Sequence, residues 1–120
     1  MTGEEKDLLI KDLCYRWQYQ PRIKIIKGHV SITDKLTSST IDGVKNDFWV
    51  ALPYLFPLPS MTEEQKEIYC QLQQRVIYNS KGVVTEDVMN YVNWCYENHL
   101  DVNDLIPKGL AIDCTGLNIY

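Results

Sequence analysis

The pair of residues best suited to acid/base chemistry is His99 and Asp101, which stand two positions apart where a helical pattern ends. An imidazole titrates near neutral pH, so an imidazole beside a carboxylate can move protons to and from a bound substrate. The same residue types also occur at helix ends for structural reasons, because a histidine can cap the last carbonyls and an aspartate can hold the next turn. The pair is therefore a candidate polar site, and a small enzyme using it is the third of our functional hypotheses.

A basic and aromatic segment, YRWQYQPRIKIIKGH at 15–29, indicates a different chemistry. Proteins that bind single-stranded nucleic acid stack the bases on aromatic rings and place cations against the phosphates. The candidate nucleic-acid-binding residues of this segment are Arg16, Tyr19, Arg22, Lys24 and Lys27. A structural explanation competes, because Trp17 extends the apolar stripe of a helix and the lysines suit the solvent side of a strand. The net charge of −4 also disfavours general binding to phosphate backbones.

A third candidate surface is apolar and lies in the segment PYLFPLPS at 53–60. Its three prolines remove backbone donors and fix φ angles, so we predict an irregular, rigid strap. Such a segment loses little entropy on binding, and Tyr54 and Phe56 are the candidate protein-binding residues in it. The alternative is that its apolar side chains lie across the core.

No pattern in the chain predicts a metal or a cofactor. The four cysteines lie at positions 14, 70, 95 and 114 and form no C-x-x-C pair, whereas structural zinc sites usually draw their ligands from such pairs. The sequence also contains no phosphate-binding glycine loop, no nucleophile elbow and no His-Glu-x-x-His motif. We expect buried, reduced thiols and predict neither a metal site nor a cofactor.

The size and composition of the chain fit one soluble globular domain, which we place at 1–120. The 120 residues are 45% hydrophobic and 23% charged, which is ordinary for such a domain. No apolar run reaches the roughly 20 residues that a membrane-spanning helix needs. The N-terminus has no basic leader followed by an apolar block, so we expect a cytoplasmic location.

The elements that must position these candidates follow from the spacing of apolar residues. The pattern predicts helices at 4–17, about 62–79 and about 86–99, strands within 22–52, and a C-terminal strand at about 109–114. Between 22 and 52 we expect an antiparallel meander of three or four strands, with a turn at 42–43 and with Pro53 ending the last ladder. Gln20 should be extended, because it precedes Pro21.

The start of the helix at about 62 is encoded twice. Thr62 with Gln65 has the spacing of a capping box, and Ser60 with Glu63 has the same chemistry two residues earlier. The fold class predicted from these elements is α+β. It consists of a small antiparallel meander or an open, barrel-like sheet packed against about three helices.

Three segments of the chain resemble a known family. KDLC at 11–14, PYLFPL followed by SMTEEQKEIY at 53–69, and NHLDVNDLIPKGLAID at 98–113 are similar to a family of small uncharacterised proteins that are frequent in gut Bacteroidales genomes and their phages. The resemblance spans both ends of the chain and is weakest in the β region. It implies a small soluble domain of mobile-element origin, and it brings no known activity, cofactor or catalytic residues.

Our leading hypothesis is therefore a non-enzymatic interaction or accessory protein of the cytoplasm. Its partner would be another protein or a second copy of the chain, without a membrane or a metal. A weak binder of single-stranded nucleic acid is the alternative, and the small enzyme comes third.

Overall fold

The protein has an α+β fold, as predicted, and its described residues form four helices and a four-stranded sheet. A computed structural model describes residues 1–78 and 85–120. The helices are α1 (Gly3–Arg16), α2 (Ser38–Lys45), α3 (Glu63–Tyr78) and α4 (Thr85–Glu97). The strands are β1 (Arg22–Lys27), β2 (Val30–Lys35), β3 (Val50–Leu55) and β4 (Ile112–Asp113). Short 3-10 turns lie at Trp17–Tyr19 and Leu58–Ser60.

The sheet is open and mixed, with the strand order β2-β1-β3-β4. β1 pairs antiparallel with β2 and β3, whereas β4 pairs parallel with β3. The first three strands are antiparallel, as predicted, but they do not form a meander, because β1 lies between β2 and β3 and the chain passes through α2 on its way from β2 to β3. The barrel-like alternative is wrong, because β2 and β4 stand at opposite edges. The position predicted as the end of α3, residue 79, lies outside the described residues.

The turn predicted at 42–43 is wrong, because these residues belong to α2. Thr37 begins this helix with a capping box, in which its hydroxyl accepts from the Thr40 N–H and the Thr40 side chain bonds the Thr37 backbone. Gly43 is buried within the helix, and a Cβ at this position would overlap the Trp49 indole. The glycine therefore serves close packing, not a turn.

The prediction that Pro53 ends the ladder is also wrong. β3 continues through Pro53, which stands opposite Ile23 of β1, as far as the buried Leu55. β4 pairs with β3 only at Tyr54 and Leu55. The nitrogen of Pro53, on the β4 side of β3, therefore interrupts no hydrogen bond of the ladder. The irregular strap is consequently shorter than predicted and begins after Leu55.

α1 forms as predicted but closes differently. Thr2 caps it with a capping box to Glu5, and a 3-10 turn extends its end to Tyr19. Gln20, predicted to be extended, instead adopts left-handed geometry with φ of 48°, and its N–H donates to the Trp17 carbonyl. The gain of this hydrogen bond offsets the left-handed backbone at the point where Pro21 prevents the helix from continuing.

One face of the sheet carries the core. Leu9 and Leu13 of α1 and Val44 of α2 pack on Ile23 and Ala51. This core face continues at Leu55, which packs with Leu105, Leu110 and Ala111. The alternate positions of β1, β2 and β3 form the outer face, on the side of the sheet away from α1 and α2.

α3 and α4 pair through aromatic side chains. The Tyr69 ring lies 5.5 Å from that of Tyr91 and 6.4 Å from that of Trp94. The Thr62–Gln65 capping box is confirmed, since each side chain bonds the backbone N–H of the other residue. The second box is wrong, because the Ser60 hydroxyl donates to the Pro57 carbonyl within the 3-10 turn. Within 1–78 and 85–120, no helix has the length and apolarity needed to cross a membrane.

Candidate functional site

His99 closes α4 through its backbone and not through its imidazole. It has left-handed geometry with φ of 56°, its N–H donates to the Tyr96 carbonyl, and the Leu100 N–H donates to the Cys95 carbonyl. This pair of bonds is a Schellman motif, in which the left-handed position is usually a glycine. The side-chain cap that we considered as the structural explanation for His99 is therefore replaced by a backbone one.

The imidazole of His99 lies in a partly buried, aromatic environment. Its ring stacks on Tyr120 with 3.7 Å between centroids, and Nδ1 is buried without a hydrogen-bond partner among the described residues. Burial, with a smaller contribution from the Arg16 guanidinium, lowers the pKa of His99 from 6.5 to about 4. The ring is accordingly neutral at physiological pH.

Both carboxylate oxygens of Asp101 are engaged by backbone N–H groups that follow it in the chain. Its two carboxylate oxygens accept from the N–H groups of Leu105 and Ile106 at 2.8 and 2.9 Å. No hydrogen bond within the described part of the chain joins Asp101 to His99. The structural explanation for the aspartate, that it holds the next turn, accounts for both oxygens.

Arg16, a candidate nucleic-acid residue, is fully buried. Its Nε and Nη2 donate to the Asp12 carboxylate, Nη2 also donates to the Leu100 carbonyl at 2.8 Å, and its Cζ lies 4.7 Å from the Tyr96 ring centroid. Asn103 donates a further hydrogen bond to Asp12. Arg16 thus ties α1 to the end of α4 and contributes nothing to a surface. Its spacing of four residues from Asp12 on a helix is the signal that sequence analysis missed.

The other candidate cations divide between the two faces of the sheet. Arg22 and Lys24 occupy outer-face positions of β1, where Arg22 stands opposite Lys35 of β2. Lys27 falls on the core-face side, and Tyr19 is half-buried in the 3-10 turn before β1. The structure therefore brings Arg22 and Lys24 together and separates Lys27 from them.

The apolar candidates Tyr54 and Phe56 are both partly or wholly withdrawn from solvent. Tyr54 is 7% exposed, and its hydroxyl hydrogen-bonds the Thr33 hydroxyl at 3.1 Å. The Phe56 ring is half-buried and lies 5.9 Å from the Tyr120 ring. Both side chains thus pack within the chain, and Tyr54 does so from an outer-face position of β3, next to Thr33, and not across the core.

Two of the four cysteines are buried and two are exposed, so the expectation of four buried thiols is half wrong. All four are free, but Cys14 and Cys70 are exposed, whereas Cys95 and Cys114 are buried. Burial raises the pKa of each buried thiol to about 11. Within residues 1–78 and 85–120, no three His, Cys, Asp or Glu side chains are grouped to hold a metal ion.

The most exposed apolar surface of the sheet lies at β2, which the sequence analysis did not single out. All six of its residues are exposed, Val30 by 65% and Ile32 by 52%. Val30 and Ile32 line a groove of about 520 Å³ together with Ile25, Lys27 and Trp49, and we call it the edge groove. Among the described strands, β2 pairs only with β1. The backbone N–H and C=O groups of every second residue of β2 therefore point away from β1, toward the open side of the sheet.

Edge strands in monomeric proteins are commonly protected by a central lysine, a proline or a bulge. β2 has none of these between Val30 and Thr33, where the sequence is VSIT. Its charged residues, Asp34 and Lys35, stand at its end. β2 and the edge groove therefore combine unpaired backbone with exposed apolar side chains.

Comparisons of this chain with known protein families, with curated proteins and with solved structures find no match.

Proposed function

We propose that this protein acts by binding another polypeptide along the open side of β2, and that it does so without catalysing a reaction. The observation that carries the proposal is β2 itself, an edge strand whose six residues are all exposed beside an apolar groove. Strand addition uses both features, because the backbone supplies the hydrogen bonds and alternate side chains supply the specificity.

The state of the polar candidates supports binding over catalysis. Asp101 has both carboxylate oxygens engaged by backbone N–H groups, and the His99 ring is packed against Tyr120. General acid/base catalysis needs a side chain within reach of a substrate atom, and neither group is arranged for it.

A comparative capture experiment tests the proposal. The tagged protein is incubated with host extract as the unchanged chain, as Ile32→Lys, and as Met89→Lys, a matched replacement of an exposed apolar side chain on α4. We expect at least one polypeptide, which can be the protein itself, to bind the unchanged chain and the Met89→Lys variant but not Ile32→Lys. If the three proteins recover the same set of polypeptides, the proposal is wrong.

A second candidate function has a specific observation in its favour, the grouping of Arg22, Lys24 and Lys35 on the outer face. Within the described strands β1, β2 and β3, no Asp or Glu occupies an outer-face position. Such a cationic face fits a weak interaction with single-stranded nucleic acid. Binding of a labelled single strand should then fall with salt and with Lys24→Glu, and it should not change with Lys27→Glu on the other face.

We also propose, from the resemblance of its end segments, that the protein serves a gut Bacteroidales bacterium or its phages as a cytoplasmic accessory protein. Phage or other mobile-element genes next to its own gene would support this origin. Housekeeping genes in a fixed order around it would count against it.

A further inference from the structure

We infer that the polypeptide that pairs with β2 is a second copy of this chain, joined antiparallel about a two-fold axis that passes beside Ile32. The inference rests on the proposed function and goes further, since it names the partner and the register. In an antiparallel pair of identical strands, each residue faces a residue of the same sequence read in the opposite direction. The side chains of β2 must therefore suit one another in this arrangement, and they do.

The register follows from the requirement that residues opposite each other in an antiparallel pair share a face of the sheet. With Ile32 opposite Ile32 of the second copy, Val30 stands opposite the second copy's Asp34, and Ser31 stands opposite its Thr33. Five residues of each strand are then paired, and every pair keeps the core face and the outer face continuous across the axis.

Apolar side chains meet in this register along the core face. Ile25 of β1 stands beside Ile32 within one chain. The two copies therefore form one row, Ile25–Ile32–Ile32–Ile25, and the two edge grooves join across the axis. Val30 and Ile32 are 65% and 52% exposed in the single chain, so the pairing removes large apolar side chains from water.

Opposite charges also meet in this register. Lys27 stands beside Val30 within one chain. The second copy's Asp34 would stand on the other side of that Val30, two strand spacings or about 10 Å from the Lys27 backbone, a span that the two side chains cover together. Asp34 uses Oδ1 to accept from the Lys35 N–H, which leaves Oδ2 for the lysine. The two-fold axis makes this contact twice.

One neighbouring register, with the axis at Thr33, lacks the central row of isoleucines and the contact between Lys27 and Asp34. It places Asp34 opposite Ile32 of the second copy, so a carboxylate interrupts the row of isoleucines, whereas the register at Ile32 places that carboxylate opposite Val30, beside Lys27. It also moves Asp34 away from Lys27. The isoleucine row and the contact between Lys27 and Asp34 thus favour the register at Ile32 over the register at Thr33.

The first experiment measures the oligomeric state by sedimentation velocity over a wide range of concentration. We expect the unchanged chain to dimerise reversibly. In Ile32→Lys two cations meet on the axis, which should raise the dimer Kd by roughly a hundredfold, while Met89→Lys should leave it unchanged. Thermal unfolding at low concentration shows that each variant folds. A chain that is monomeric at every concentration, or an Ile32→Lys variant that dimerises normally, overturns the inference.

The second experiment tests the register with a short thiol cross-linker. In a background carrying Cys14→Ser and Cys70→Ser, which removes the exposed thiols, single cysteines are introduced as Ile32→Cys and as Thr33→Cys. Only a residue on the axis meets its own copy. We expect Ile32→Cys to form cross-linked dimers and Thr33→Cys to form few. The reverse result overturns the register.

Charge exchange provides a third measurement that a purely local effect would not reproduce. Lys27→Glu and Asp34→Lys should each weaken dimerisation, and the variant carrying both should recover most of it, because the pair is restored with its signs reversed. If the double variant loses as much dimerisation free energy as the two single variants lose together, the Lys27–Asp34 contact is wrong.

The outcomes also separate this inference from the proposed function. If the unchanged chain is monomeric but still captures a different polypeptide that Ile32→Lys does not capture, the second copy is wrong and the binding edge is right. If neither self-association nor capture depends on Ile32, both are wrong.

Discussion

Replacing Gly43 by alanine should destabilise this protein, although the same change stabilises most helices. Gly43 lies inside α2, where alanine is favoured over glycine by about 1 kcal/mol. A Cβ at this position, however, would overlap three atoms of the Trp49 indole, which is packed directly on the Gly43 backbone. The indole must move, and its Nε1–H would lose its hydrogen bond of 3.1 Å to the Thr40 carbonyl.

The magnitude follows from these two contributions. Loss of one partly buried hydrogen bond costs about 1 kcal/mol, and displacement of a packed side chain costs a further ~1–3 kcal/mol. After the helix gain is subtracted, Gly43→Ala should lower the free energy of unfolding by about 1–3 kcal/mol. The assay is urea unfolding followed by tryptophan fluorescence and, independently, by circular dichroism.

Gly3 provides the matched control, because it lies in the first turn of α1 and a Cβ there would meet nothing within 4 Å. Gly3→Ala should therefore be neutral or stabilise by up to about 1 kcal/mol. If Gly43→Ala is as stable as Gly3→Ala, the packing of Trp49 on Gly43 is wrong, and with it one wall of the edge groove.

Three further predictions concern the parts of the fold that hold α4 and α3. Arg16→Met should cost about 3–5 kcal/mol because it leaves the Asp12 carboxylate buried without its cation, and Asp12→Leu in the same chain should recover much of this in a double-variant cycle. Stability should fall between pH 6.5 and about 4, because the folded state holds His99 neutral while the unfolded chain binds the proton. His99→Asn, which tolerates left-handed geometry, should reduce that fall in pH-dependent urea melts, and an unchanged pH profile would contradict the assignment. Thr62→Ala should cost about 1 kcal/mol through loss of the helix cap, whereas Ser60→Ala should cost clearly less, and equal losses in thermal melts would refute this difference.

Sequence patterns predicted α1, α3 and α4 because each is long enough for the helical period of apolar residues to be visible. α2 was missed because it has only eight residues and contains Gly43. The signal that could have revealed it is the spacing of Thr37 and Thr40, which is typical of a capping box, followed by Ile41 and Val44 on one side of the helix.

The candidate surface could be predicted only in part. The alternation of Val30 and Ile32 indicates a strand with one apolar face, but strand order is a tertiary property. β1 pairs with β2 on one side and with β3 on the other, and β3 follows α2 in the chain. β2 is therefore left at an edge of the sheet. The burial of Arg16 was likewise beyond a local reading, because it depends on Leu100, which is 84 residues away.

Hydrogen exchange is the most direct test of whether two copies pair along β2, since it observes the backbone groups that this pairing would use. Half of the β2 amides point away from β1 in the single chain and should exchange rapidly in dilute solution. We predict that these amides, and no others of the sheet, become protected as the protein concentration rises, and that Ile32→Lys abolishes the change. Amides of β2 that exchange at the same rate at every concentration, or that are protected equally in Ile32→Lys, would contradict pairing of two copies along this edge.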